Sequence, residues 1–208
     1  MKILIINGSP RANSNSSHLI KEITNTFDEL GANYDIVKIG NKDIPGCRAC
    51  GYCHVKGECV IKDLVNETSL KLKEADGLIV VAPVYYASPN GSVISFLDRL
   101  YQSHNYDLRW KVGAAFAIAR RAGTTASFDV LNKYFTIAGM PVVSGDYWNN
   151  GFGREPGQIE KDLEGLRNAR VVAKRMVFLI KAIKEAKEKY PDLLKEEPRV
   201  WTHFIENK

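Results

Sequence analysis

Five short apolar runs, separated by segments with helical spacing, constrain this chain more than any other feature. Residues 2–7 are almost continuously apolar and end at Gly8, as a strand buried on both faces does. Residues 34–39, 77–82, 112–119 and 141–148 repeat the theme, and Pro83 is expected to stop the third of these runs. Between them Leu19, Ile20, Ile23, Phe27 and Leu30 recur at helical spacing before Gly31, and residues 63–75 carry a weaker helix through Leu64, Leu70 and Leu72. Val93, Ile94, Leu97, Leu100 and Tyr101 mark a third helix that starts near Asn90 or Gly91. Phe128, Leu131, Phe135 and Ala138 mark a fourth, which Gly139 can stop. A long amphipathic helix is expected from Pro156 to Lys189, with Leu163, Val172, Met176 and Ile180 on its apolar stripe and Pro191 beyond its end. Alternating strands and helices imply parallel strands joined by right-handed crossovers. The expected fold is therefore α/β, a doubly wound three-layer sandwich around a five-stranded parallel sheet. Residues 1–190 are expected to form one domain, and residues 191–208, with Pro198 and Trp201, a tail that packs across a partner or its own surface.

The chain has 208 residues, 45% apolar and 25% charged, which excludes disordered, collagen-like and membrane-spanning classes. No apolar stretch approaches the ~20 residues of a transmembrane helix, so a cytoplasmic protein with no membrane partner is expected. The formal charge of +5, from 29 basic and 24 acidic residues, suits small anionic ligands. The basic residues spread along the final helix opposite its apolar stripe, as on a solvated face, so no nucleic-acid partner is expected. A chain of this length buries a sufficient core without covalent staples. Yet Cys47, Cys50, Cys53 and Cys59 all fall within 13 residues of a glycine-rich segment, residues 40–60. In a reducing compartment such clustering points to metal binding or thiol redox chemistry rather than to a disulfide framework.

In a doubly wound sheet the ligand crevice lies at the carboxyl ends of the strands. The loop after the first strand reads Gly8-Ser9-Pro10-Arg11-Ala12-Asn13-Ser14-Asn15-Ser16-Ser17 and leads into a helix. A helix N-terminus with hydroxyl and amide donors around it suits a phosphate. Neither the Gly-x-Gly-x-x-Gly fingerprint nor a Gly-Lys-Ser/Thr P-loop is present, and a hydroxyl-rich loop suits a monoester. The alternative is an ordinary polar turn with Asn15 or Ser16 as N-cap.

Two further strand-end segments extend this pattern: Pro83-Val84-Tyr85-Tyr86, followed by Gly91 and Phe96-Leu97-Asp98-Arg99, and Arg120-Arg121-Ala122-Gly123-Thr124. In this order the three loops resemble those of the flavodoxin-like NAD(P)H-dependent FMN reductases, over nearly the whole chain. The resemblance implies the strand order 2-1-3-4-5. It implies that Ser9, Arg11, Asn15, Ser16 and Ser17 hold the FMN phosphate, while Pro83, Val84, Tyr85, Tyr86, Arg120, Arg121, Gly123 and Thr124 border the isoalloxazine ring. The tyrosines offer flat apolar faces, and Arg121 or Arg120 stabilises the anionic reduced ring. Trp148, in Tyr147-Trp148-Asn149, either covers the flavin, shapes a nicotinamide pocket or is a buried structural residue. NAD(P)H as electron donor and a homodimer or homotetramer are further implications of the resemblance.

The spacing Cys47-x2-Cys50-x2-Cys53-x5-Cys59 has the compact start of ferredoxin-type ligation. Within this fold it resembles the iron-sulfur flavoproteins, whose four cysteines lie in the loop after the second strand and hold a [4Fe–4S] cluster near FMN. Gly46, Gly51 and Gly57 let the backbone wrap such a centre, and Arg48 and Lys56 offset its charge. A structural zinc, or free or disulfide-forming thiols, are the competing readings. Leu64 departs from the family pattern, which has a second acidic residue beside Asp63. His54 reads as an exposed loop residue. The function expected is an FMN-dependent oxidoreductase with an iron-sulfur cluster that relays electrons to a redox partner or small-molecule acceptor; the alternative is an NAD(P)H-dependent flavin, quinone or azo reductase without a cluster. Purified protein is accordingly expected to be yellow, or to become so with added FMN, and a protein that stays colourless in its absorption spectrum contradicts the assignment.

Overall fold

The computed structural model describes residues 1–198, 200 and 202. The first strand, β1 (Lys2–Asn7), has neighbours on both sides: parallel β2 (Asn33–Lys38) and parallel β3 (Gly77–Tyr85). Parallel to β3 runs β5 (Val112–Ala119), and β6 (Asn150–Phe152) closes the far edge. The two-residue β4 (Ser88–Pro89) folds back antiparallel on the end of β3 through Tyr86 and Ala87, both at positive φ. The order β2-β1-β3-β5-β6 is thus the expected 2-1-3-4-5 once that hairpin is set aside. Pro83 does not end β3, which continues to Tyr85 because Val84 and Tyr85 find partners in the hairpin.

Strand periodicity of two divides β1 between two cores. Ile3 and Ile5 face α1 (Asn15–Glu29) and α6 (Leu163–Lys189), where Leu19, Ile23, Phe27, Val172 and Met176 are fully buried. Leu4 and Ile6 face α3 (Leu64–Glu74), α4 (Gly91–Ser103) and α5 (Thr124–Ile137), against Leu72, Phe96, Leu131 and Phe135. Each such aliphatic side chain contributes about 1.5–3 kcal/mol on full burial. A three-layer α/β sandwich results, with one short helix, α2 (Tyr52–Lys56), inside the cysteine segment.

Two expected elements are corrected. The run 141–148 is not a strand: Val142 makes a single bridge to Gly113, and the chain then leaves the sheet until Asn150. Asn168, buried on α6, takes over the backbone there. Its Oδ1 accepts from Asp146 N at 2.8 Å, and its Nδ2 donates to Tyr147 O at 3.3 Å and Asn149 Oδ1 at 3.1 Å. Only glycine fits at 145, where a Cβ would lie 2.1 Å from Asn168 Oδ1. The final helix begins at Leu163 rather than Pro156. Asp162 stops it from starting earlier by capping Gly165 N at 2.9 Å with one oxygen and holding Phe152 N at 2.8 Å with the other. Residues Gln158–Lys161 form a 3-10 turn instead, and that turn buries Ile159.

After α6 comes a 3-10 turn, Pro191–Leu194, and Glu196 pairs with Arg109 at 2.9 Å; Trp201 lies outside the described residues. No described helix is long and apolar enough to cross a membrane.

Removing the Asn168 side chain leaves the part-buried amide of Asp146 and the buried side-chain oxygen of Asn149 without their partner, so Asn168→Ala is expected to cost about 1–3 kcal/mol, read from the urea midpoint. Hydrogen bonds from Arg167 and Arg175 hold Asp146 below the usual carboxylate range, so its contribution is present above its unfolded pKa of about 4 and fades as pH falls further. The Tm difference between the wild type and Asp146→Asn is expected to shrink as pH drops from 7 towards 3.

Candidate functional site

The crevice begins where β1 meets α4. Gly8 N donates to Val81 O at 2.8 Å, and a Cβ at Gly8 would lie 2.2 Å from Val93 Cγ2, so the approach requires glycine. Asn90, the N-cap of α4, donates Nδ2 to Gly8 O at 3.1 Å, and its own Oδ1 is buried without a partner among the described residues. Asn7 ties the loop from below: Oδ1 accepts from Ser9 N at 3.0 Å, and Nδ2 donates to Ser17 Oγ at 3.2 Å. The N-cap of α1 is Ser14, whose Oγ accepts from Ser17 N at 3.1 Å, rather than Asn15 or Ser16.

A crevice of about 240 Å³ opens here. Ser9, Arg11, Asn15 and Ser16 form one wall, Pro83, Val84 and Tyr85 a second, and Arg120 a third. Ser17, Tyr86, Arg121, Gly123 and Thr124 are not among its lining residues. Ser17 bonds within the loop, to Ser14 Oγ at 3.0 Å, and Thr124 is buried at the start of α5. Tyr86 sits in the β3–β4 turn with its side chain fully exposed. Gly123 has φ 87°, and a Cβ there would lie 2.6 Å from Ala87 Cα and 3.0 Å from Val84 Cγ1, so the second and third loops touch at this point. Asn15 lines the crevice and also accepts from Ile159 N at 3.2 Å.

A fourth wall, Gly153, Arg154 and Pro156, was not legible in the sequence. His18 braces this side, with Nδ1 2.8 Å from Glu160 Oε1 and Nε2 2.9 Å from Asn13 Oδ1. Tyr147 and Trp148 precede the last strand and lie outside the crevice, stacked edge to face at 5.0 Å and both more than half exposed. Trp148 is therefore neither a buried residue nor a lid on this crevice. A helix N-terminus, several hydroxyls and three arginines facing one space fit a dianionic phosphate.

The second site hangs on α4. All four cysteines line a cavity of about 260 Å³ closed on one side by Arg99, Gln102 and Ser103. Cys47 and Cys50 are exposed, Cys53 and Cys59 half-buried, and all four are free thiols. Ala49, Gly51 and Gly57 adopt positive φ, and α2 spans the interval between the two glycines. His54 is exposed, with Nε2 3.0 Å from Gln102 Nε2. Among the described residues no three His, Cys, Asp or Glu side chains converge on one point. The thiols surround the cavity instead, an arrangement suited to a multi-metal centre that takes one ligand at each corner.

Arg99, 1% exposed, anchors this loop. Its terminal nitrogens donate to both oxygens of Asp63 at 2.6 and 2.9 Å, to Ile61 O at 3.0 Å and to Pro45 O at 3.4 Å; Nε donates to Cys59 Sγ at 3.3 Å. Burial works against the charge, but hydrogen bonds with Asp63 and Cys59 outweigh it and raise the pKa of Arg99. Asp63 also caps α3 by accepting from Val65 N at 3.0 Å, while Leu64 packs against the core. The departure at 64 therefore puts an apolar side chain where a second carboxylate would face that core.

The fold and the phosphate-suited crevice define a doubly wound α/β class with an anion site at its strand ends. The sequence profile of the NADPH-dependent FMN reductases matches residues 1–155, and the chain belongs to that family. It is a flavin-dependent oxidoreductase whose cofactor is FMN. An iron-sulfur flavoprotein of Methanocaldococcus jannaschii is 33% identical over 193 residues, spanning 89% of this chain and 100% of the relative. An iron-sulfur flavoprotein of Methanosarcina thermophila is 32% identical over 193 residues, spanning 91% and 100%. In fold, the solved structure of RosB with a bound formylriboflavin phosphate intermediate superposes with a TM-score of 0.72 at 17% identity, covering 100% of this chain and 95% of that one.

Gly123→Ala forces strain at a positive φ and parts two loops, which costs about 1–3 kcal/mol. A tenfold or greater loss of FMN affinity is expected in a fluorescence titration, with unchanged far-UV circular dichroism.

Proposed function

We propose that the protein is an electron-relay flavoprotein in which FMN occupies the crevice and Cys47, Cys50, Cys53 and Cys59 hold a [4Fe–4S] cluster. The observation that carries this reading is that all four cysteines line one cavity built on α4, the helix whose N-cap Asn90 also supports the crevice loop. Gly91 and Arg99 are eight residues apart on that helix, a rise of about 12 Å. When bound, FMN takes up a hydride as an electron pair and passes electrons on singly, which matches a one-electron centre nearby.

The chain's own residues divide the work. Ser9, Ser16 and the first turn of α1 bind the phosphate, with Arg11 balancing its charge. Asn7 and His18 hold that loop in place rather than touching the ligand. Pro83 to Tyr85 form an apolar wall for the ring, and Arg120 supplies the positive charge that favours its anionic reduced form. Tyr86 and Arg121, exposed and outside the crevice lining, are left for an incoming donor such as NAD(P)H or for an acceptor. The two curated relatives are named iron-sulfur flavoproteins, and the four-thiol cavity of this chain supports extending that name's chemistry to it.

Anaerobically purified protein is expected to contain iron and acid-labile sulfide matching one [4Fe–4S] centre per chain, with a broad absorption shoulder beneath the flavin bands. Cys50→Ser is expected to remove the iron and leave the flavin. Metal-free wild type that still oxidises NAD(P)H would instead support the cluster-free reductase.

A further inference from the structure

Cys59 differs from the other three cysteines in having a buried cation against its sulfur. The Nε–H of Arg99 points at Cys59 Sγ at 3.3 Å, and the other four N–H groups of the guanidinium are directed at the oxygens of Asp63, Ile61 and Pro45. Arg48 and Lys56, and Lys42 and Lys62 at the ends of the segment, are exposed and screened by solvent. An N–H donor to a ligand sulfur and a nearby positive charge both stabilise the more electron-rich state of an iron-sulfur centre. Asp63 acts in the opposite sense: its carboxylate sits bidentate on the far edge of the guanidinium and offsets part of the charge.

We propose that the Arg99–Asp63 pair sets the reduction potential of the four-cysteine centre, Arg99 raising it through Cys59 and Asp63 tempering it. This rests on the iron-sulfur reading above. The step concerned is the addition of one electron to the centre, given up by the reduced flavin, which is oxidised by one electron. At the centre no bond forms or breaks, no proton moves, and the net charge falls by one. Arg99 is thus a positioning residue that also places charge, and Asp63 is its counterweight.

Two variants separate this role from simple support of the loop. Asp63→Asn keeps a side-chain oxygen to cap α3 and accept from Arg99, but removes the negative charge. Asp63→Asn combined with Arg99→Gln removes both charges and avoids leaving a part-buried carboxylate unpaired. The full-length, FMN- and iron-loaded protein is titrated anaerobically with dithionite and mediator dyes, the reduced centre is read by electron paramagnetic resonance, and iron is counted in each sample. At the wild-type midpoint, Asp63→Asn is expected to raise the ratio of reduced to oxidised centre about tenfold, which is about 59 mV for one electron. The double variant is expected to fall at least tenfold below Asp63→Asn. Unchanged potentials, shifts of the same size and sign in both variants, or loss of iron from both would overturn the proposal while leaving the cluster in place in the wild type. Iron-free wild type would overturn the cluster reading itself, and this inference with it.

Discussion

A guanidinium removed from water must find an acceptor for each of five N–H groups, and Arg99 finds them all in the segment that carries the cysteines. Taking such a cation out of solvent costs several kcal/mol, offset here by a bidentate carboxylate, two carbonyls and a thiol. The segment from 45 to 63 buries little apolar surface of its own, so its shape is set by these bonds more than by a core. At its other end the same helix is fixed by the contact of Gly8 with Val93 and by the bond from Asn90 to Gly8 O. The crevice loop and the cysteine loop therefore share one rigid element and cannot shift independently of it.

Much of the sandwich was legible because its signals are local. The buried runs of β1, β3 and β5 and the spacing of α1 and α4 state their periodicity within a few residues, and the four cysteines announce themselves by clustering. The misreadings have distant causes. Residues 141–148 carry strand-forming Val142, Val143, Tyr147 and Trp148, but Asn168, twenty-two positions from Asp146, captures the backbone. Pro156 and Ile159 look like the first turns of a helix, and Asp162 overrides them by bonding on both sides of itself. Arg99 could not be singled out as the anchor of the loop, since its partners lie 36 to 54 positions away. Tyr85 and Tyr86 are alike in the sequence, yet positive φ at Tyr86 turns the second outwards. Which of Arg120 and Arg121 lines the crevice likewise depends on the turn that starts α5, and neither residue's identity encodes that.

The departure of the chain from the sheet at Ser144 has a consequence for how the molecule behaves among its neighbours. An open sheet ends in strands whose outer N–H and C=O groups are available to any passing extended chain. At the β6 edge the outermost strand is three residues long, and the amides of Asp146 and Tyr147 and the carbonyl of Tyr147 in the loop before it are already bonded to Asn168, while Asp146 is held by Arg167 and Arg175. The apolar β5 is shielded behind an edge that offers no continuous ladder, so a second molecule meets a short strand and a charged, occupied loop. The same loop that ends the sheet on this side keeps it from growing there.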